Sequence, residues 1–237
     1  MCYRAVRAGR IATGASTLTP LVQVIAMLSH QVTESPQPHS RTMVGVTIWR
    51  MVVAWCALYG FDRVTNWPMW GIDLRPLYEL SQLSSLVVGL SYLGLAAYPL
   101  FVAGRRHEPA SGWLRGALAV VMLLVCLTSI LFLGGGNLTH PGFLFEHLVT
   151  PVVVVVDFLF VGRNQERTRW WHPLSWVVLP LAYFVFLLST GVRSYRNLFA
   201  PSNDDFAVTV AGFFVGVIAV GYLLHGLVRA RSALTRR

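Results

Sequence analysis

Lysine is missing from this chain: its 19 basic residues are all arginines, set against 10 acidic ones. Exclusive use of arginine reads as a bias of GC-rich coding. It is no nucleic-acid footprint, because the arginines form no single patch. Charge of either sign is scarce. Of 237 residues only 12% are charged while 55% are hydrophobic, which leaves too little polar surface for a soluble domain of this size. Cysteine is also rare, and Cys2, Cys56 and Cys126 give neither a metal-ligand spacing nor a disulfide framework, so they read as small apolar fillers. No glycine-rich phosphate loop, HExxH zinc motif or GxSxG elbow occurs. Asn137-Leu138-Thr139 fits a glycosylation sequon, which carries meaning only in a secretory pathway.

What the chain has in abundance is long apolar runs. Residues 80–104, 116–136, 173–192 and 206–228 hold no formal charge, and about 20 apolar residues cross a bilayer core. The run 141–162 is as long but contains Glu146, His147 and Asp157, and the weakest, 43–61, contains Arg50. A cation buried in lipid costs roughly 3 kcal/mol on insertion scales, so Arg50 is expected to snorkel or to mark the helix entrance. The expected fold is an all-α bundle of six transmembrane helices.

The remaining arginines set the orientation. Arg105, Arg106 and Arg115 follow the second span, Arg163, Arg167 and Arg169 the fourth, and Arg229, Arg231, Arg236 and Arg237 the sixth. The opposite loops carry only Arg63, Arg75, Arg193 and Arg196. By the positive-inside rule both termini are expected in the cytoplasm of a multi-pass plasma-membrane protein. Trp67, Trp70, Trp113, Trp170 and Trp171 fall near span ends, as interfacial anchors do. The expected organisation is an N-terminal extension over 1–42, a membrane domain over 43–230 and a basic tail over 231–237. The extension opens with Arg4, Arg7 and Arg10, is too polar over 11–32 for a signal peptide, and ends in a Pro36/Pro38 linker. An equal reading starts translation at Met43.

Polar residues held inside apolar spans are costly and mark function. Ser81, Ser84 and Ser85 open the second span at i, i+3 and i+4. In the fourth, His147, Thr150 and Asp157 fall within about 80° on an ideal helix, with Glu146 pointing elsewhere. Both spans enter from the same side, so Ser81 and His147 lie at matching depth, about one turn inside. A serine hydroxyl needs a neighbouring base, commonly histidine, to become a nucleophile. Asp157 lies too far along the helix to orient His147, and is expected to pair with Arg163 or meet headgroups. His107, His172 and His225 read as solvated or interfacial, and His140 as a reserve base. Each of these polar residues also has a plain structural reading as a packing or hydrogen-bonding residue.

The run Leu80-Ser81-Gln82-Leu83-Ser84-Ser85-Leu86 resembles the Phe-Thr-x-x-Ser-Asn-Leu motif of the androgen-induced-gene-one-like (androgen-dependent TFPI-regulating protein-like) membrane family, in particular its bacterial six-span "Pr-six-Pr" branch. His147-Leu148-Val149-Thr150-Pro151, the valines to Val156 and Asp157-Phe158-Leu159 are similar to that branch's His-x-x-x-Pro, apolar run and Asp-Trp-Leu. Pro173-Leu174-Ser175-Trp176 and Leu179-Pro180-Leu181-Ala182-Tyr183 resemble its fifth span, so the likeness covers about 43–230. It implies an intramembrane hydrolase of fatty-acid esters, with the family threonine falling on Ser81 and its histidine on His147. Ser84, Ser85, Thr150 and Asp157 are the supporting polar set, with Ser84 and Ser85 as candidate oxyanion donors. Ser85 replaces the family asparagine, and Tyr195-Arg196-Asn197-Leu198-Phe199 stands where the family has Tyr-Pro-Tyr-Pro-Phe. No metal or organic cofactor is implied, and the expected partners are membrane lipids and a lipid-ester substrate. The competing class is a non-enzymatic membrane protein, either a small-solute transporter using Ser81, His147 and Asp157 as a path or a structural bundle.

Overall fold

The computed structural model describes residues 40–66, 75–103, 106–132, 138–190 and 199–235. The sequence expectations for residues 1–39 of the N-terminal extension, for Trp67 and Trp70 and for Tyr195–Leu198 fall outside them. The described chain is helical, and six of its helices are long and apolar enough to cross a membrane: α1 (Ser40–Thr65), α2 (Leu80–Phe101), α3 (Trp113–Phe132), α4 (Pro141–Val161), α5 (His172–Thr190) and α6 (Phe206–Thr235). The sixth runs through Ser232 and Thr235, so the expected basic tail begins as helix. At 1.5 Å per residue its 30 residues span about 45 Å, longer than a hydrocarbon core of about 30 Å.

Contacts between side chains fix an alternating arrangement. Arg50 reaches the Leu95 carbonyl while Leu58 lies against Gly89, so α1 and α2 are antiparallel. Gln82 bonds Glu146 and Tyr92 bonds Asp157, so α2 and α4 run parallel and in register. Trp113 bonds Ser175 and Gly116 faces Trp176, which sets α3 parallel to α5. Gly221 against Pro173 and Phe214 against Phe184 make α6 antiparallel to α5. Residues 40 and 235 therefore lie at the same end of the bundle.

Of the most apolar stretch of α3 61% is buried, against 17% for α6, which makes α3 the central helix and α6 a peripheral one. Ala117 to Met122 are all enclosed, surrounded by Val53, Val88, Val154 and Trp176 in one continuous core. Outward faces carry Leu90, Leu100, Phe101, Val185 and Val208 exposed, the surface that lipid tails cover. Where helices approach most closely the residue is glycine: Gly89 beneath Leu58, Gly116 beneath the Trp176 indole and Gly60 beside Glu146. Helix contacts in membranes depend on such small residues because burial from water supplies no drive between them. Asn66 closes α1 with φ 49°, a left-handed ending that asparagine tolerates.

The fourth helix is irregular in a way that matters to the site. It contains two π-turns, Phe145–Val149 and Asp157–Val161, separated by regular helix over Thr150–Val156. The first closes with the Thr150 N–H donating to the Phe145 carbonyl, five residues back. Pro151 follows directly; it has no N–H and its ring crowds the carbonyl four residues earlier, a conflict that a widened turn relieves.

Candidate functional site

Two buried polar clusters lie along the α2/α4 interface, one near each end. The first contains the residues that the sequence singled out. The Ser81 hydroxyl donates to Gln82 Oε1 at 3.0 Å, and Gln82 Nε2 donates to Glu146 Oε2 at 3.3 Å. One amide thus bridges a serine and a carboxylate, its nitrogen turned to the acid and its oxygen to the hydroxyl. Glu146 is 0% exposed. The reading that it points elsewhere is corrected, because the π-turn adds a residue to the local turn and an ideal-helix projection does not apply across it.

His147 is buried with its ring stacked on Phe143 at 5.7 Å between centroids, and Phe143 in turn meets His140 at 5.5 Å. No hydrogen bond joins His147 to Ser81; the two share a neighbourhood through Gln82 and Glu146. Ser84 returns its hydroxyl to the Leu80 and Ser81 carbonyls at 2.5 and 3.1 Å, so its proton is committed to its own helix. Ser85 and Thr150 lie one turn deeper on the two parallel helices, fully buried. Ser85 Oγ, Thr150 Oγ1, Glu146 Oε1, His147 Nδ1 and His140 Nδ1 are all buried without a hydrogen-bond partner. Each such group costs about 1–3 kcal/mol unless something satisfies it, and here five share one end of two neighbouring helices.

The second cluster went unrecognised in the sequence. Arg50, 1% exposed, is no snorkelling residue: it donates to Glu108 Oε2 at 3.1 Å and to the His107 carbonyl at 2.6 Å. Arg115, counted as a flank, is equally buried, and its Nε donates to Asp157 Oδ2 at 2.7 Å. Its Nη1 reaches Asn164 Oδ1 at 2.7 Å and Glu108 Oε2 at 3.4 Å, and Nη2 donates to the Asp157 carbonyl. Asp157 Oδ2 also accepts from the Tyr92 hydroxyl at 2.8 Å. Asp157 therefore pairs with Arg115, not Arg163, and belongs to this cluster rather than to Ser81 and His147. Glu108 Oε1 accepts the backbone N–H groups of Arg163 and Asn164 at 2.9 and 2.7 Å. Burial holds the His107 imidazole pKa below its usual value. His172, read as solvated or interfacial, is not solvated but buried against Trp171, and His225 lies 3.2 Å from the Thr168 hydroxyl. The signal for Arg50 was present as a charge inside an apolar run. Glu108 and Arg115 sit in and beside a loop, where charges are ordinary.

Between the clusters α2 and α4 present Val88, Gly89 and Val154, all buried. Beyond them, a crevice of about 470 Å³ opens between α3 and α6, lined by Leu124, Thr128, Phe199, Phe213 and Val217. A smaller cavity shares Thr128, Phe199 and Phe213 with it and extends to Leu80, the neighbour of Ser81. Among the described residues no three His, Cys, Asp or Glu side chains converge as around a metal ion.

The fold and buried polar interior define a multi-pass helical membrane protein. No family model, curated protein or solved structure matches the chain.

Proposed function

We propose that this protein is an intramembrane lipid-ester hydrolase of a bacterial plasma membrane. Ser81 attacks the ester carbonyl; His147 serves as general base toward the hydroxyl and then as acid toward the leaving alcohol. The observation that carries the reading is the group of unpartnered polar atoms around the Ser81 end: Ser85 Oγ, Glu146 Oε1, His147 Nδ1 and Thr150 Oγ1. A polar ester group entering from lipid would satisfy such atoms, and Ser85, whose hydroxyl is uncommitted, is the donor placed to meet an oxyanion. The resemblance of the Leu80–Leu86 and His147–Leu159 runs to the androgen-induced-gene-one-like family supports the same assignment. The apolar crevice between α3 and α6 suits an acyl chain, and the small cavity beside it reaches Leu80.

The orientation that fits places residues 40 and 235 on the cytoplasmic side, where Arg106, Arg163, Arg167, Arg169, Arg229 and Arg231 gather. The Ser81 end then faces outward. Transport is the weaker reading, because the Val88/Val154 layer interrupts any polar path from Glu146 to Asp157. The test is turnover of a long-chain alkyl ester by purified protein in detergent. Ser81→Ala and His147→Ala are each expected to abolish it while leaving the thermal midpoint intact; full activity in either variant overturns the assignment.

A further inference from the structure

At the end of the bundle that holds residues 40 and 235, α6 outlasts the hydrocarbon. Arg229 and Arg231 follow its start at Phe206 by about 35 Å of helix axis, beyond a core of about 30 Å. Both guanidinia are anchored to backbone rather than to acid. Arg229 Nη2 donates to the Thr168 carbonyl at 2.7 Å, and Arg231 Nη1 donates to the Leu159 carbonyl in the last turn of α4. A guanidinium has five N–H donors, so most of each remains uncommitted. Arg231 also lies over the Phe160 ring, 5.7 Å from its centroid, and that ring is 60% exposed. A cation thus tops an apolar surface at the seam of α4 and α6, as a headgroup site tops an acyl-chain groove.

The loop between α4 and α5 adds charge and holds it still. Asn164 Nδ2 donates to the Pro109 and Ser111 carbonyls at 3.1 Å each, Glu108 accepts the Arg163 and Asn164 backbone N–H groups, and the Thr168 hydroxyl donates to the Gln165 carbonyl. From this fastened loop Arg163, Arg167 and Arg169 are exposed. Among the described residues none of these five arginines forms an ion pair, and Glu166 is the only exposed carboxylate at this end. Trp170 and Trp171, both exposed, put indoles at the level where the interface favours them. We propose that this face binds an anionic phospholipid, its phosphodiester held between Arg229, Arg231 and the 163–169 loop and an acyl chain lying along Phe160. Forked guanidinium donors match phosphate oxygens, and basic pockets between membrane helices take anionic headgroups. A free phosphate would use the arginines but leave Phe160 uncovered. The site lies at the opposite end of the bundle from Ser81 and is independent of the hydrolase reading.

The experiment gives the full-length protein in neutral detergent equal amounts of phosphatidylglycerol and phosphatidylcholine with the same acyl chains, and native mass spectrometry counts the lipid retained. Wild type is expected to retain phosphatidylglycerol in clear excess. Arg229→Gln combined with Arg231→Gln is expected to weaken its apparent affinity about 30-fold, at about fivefold per arginine. Arg63→Gln combined with Arg196→Gln removes the same charge from the opposite loops and is expected to leave the preference unchanged. Equal retention of the two lipids by wild type, an unaltered preference in the Arg229/Arg231 variant, or an equal loss in the Arg63/Arg196 variant overturns the proposal. Displacement of the bound lipid by inorganic phosphate also overturns it, and would make the face a site for a free anion. If the Arg229/Arg231 variant does not fold, the triple variant Arg163→Gln, Arg167→Gln, Arg169→Gln decides, because those side chains are exposed: a weakened preference supports the proposal and the wild-type preference overturns it.

Discussion

Arg115 touches more of the buried polar network than any other side chain described here, joining Asp157, Glu108, Asn164 and Gln165. Removing one partner of such a group leaves an uncompensated charge, at a cost of about 3–5 kcal/mol. Arg115→Met is therefore expected to lower the thermal midpoint in detergent strongly. Arg115→Met combined with Asp157→Leu is expected to recover part of the loss, because the stranded carboxylate is gone. A midpoint unchanged in the single variant would show that the network is solvated rather than buried. At this scale the sequence disclosed Ser81 and His147 as polar residues in apolar spans. It hid their neighbour: Glu146 projects away from His147 and Thr150 on an ideal helix, yet it accepts from Gln82, the residue after Ser81. Arg115 was hidden for another reason, since an arginine two residues into a span resembles any flanking charge.

The helices differ in how tightly they are held, and glycine reports the difference. A Cβ on Gly116 would run into the Trp176 indole, whereas one on Gly212 meets nothing within 4 Å. Gly116→Ala is expected to cost about 1–3 kcal/mol through overpacking. Gly212→Ala should be neutral or slightly stabilising, since alanine favours helix by up to about 1 kcal/mol. Thermal unfolding of the two variants side by side checks this, and equal effects would contradict the placing of α3 at the centre. All six spans were legible as apolar runs, because lipid demands about 20 apolar residues per crossing. Their irregularities were not. Pro151 follows the first π-turn of α4, and composition does not say whether a proline kinks a helix or widens it.

For the molecule as a whole, alternation of the six helices puts residues 40 and 235 at one end, and the arginine bias is what supports the proposal that this end is cytoplasmic. Single-cysteine labelling in intact cells tests the assignment. Cys56 and Cys126 are buried, so a Cys2→Ser background leaves the surface clear. Leu138→Cys is expected to react with a membrane-impermeant maleimide and Ser232→Cys to be protected; the reverse pattern would invert the topology and turn the Ser81 end inward. The outermost claim is that this membrane bundle holds an activated hydroxyl near one face, and fluorophosphonate labelling of native membranes addresses it most directly. The account predicts that wild-type protein is labelled and that Ser81→Ala, present at the same level, is not. Labelling that persists in Ser81→Ala, or a folded wild-type protein that takes no label, would contradict it.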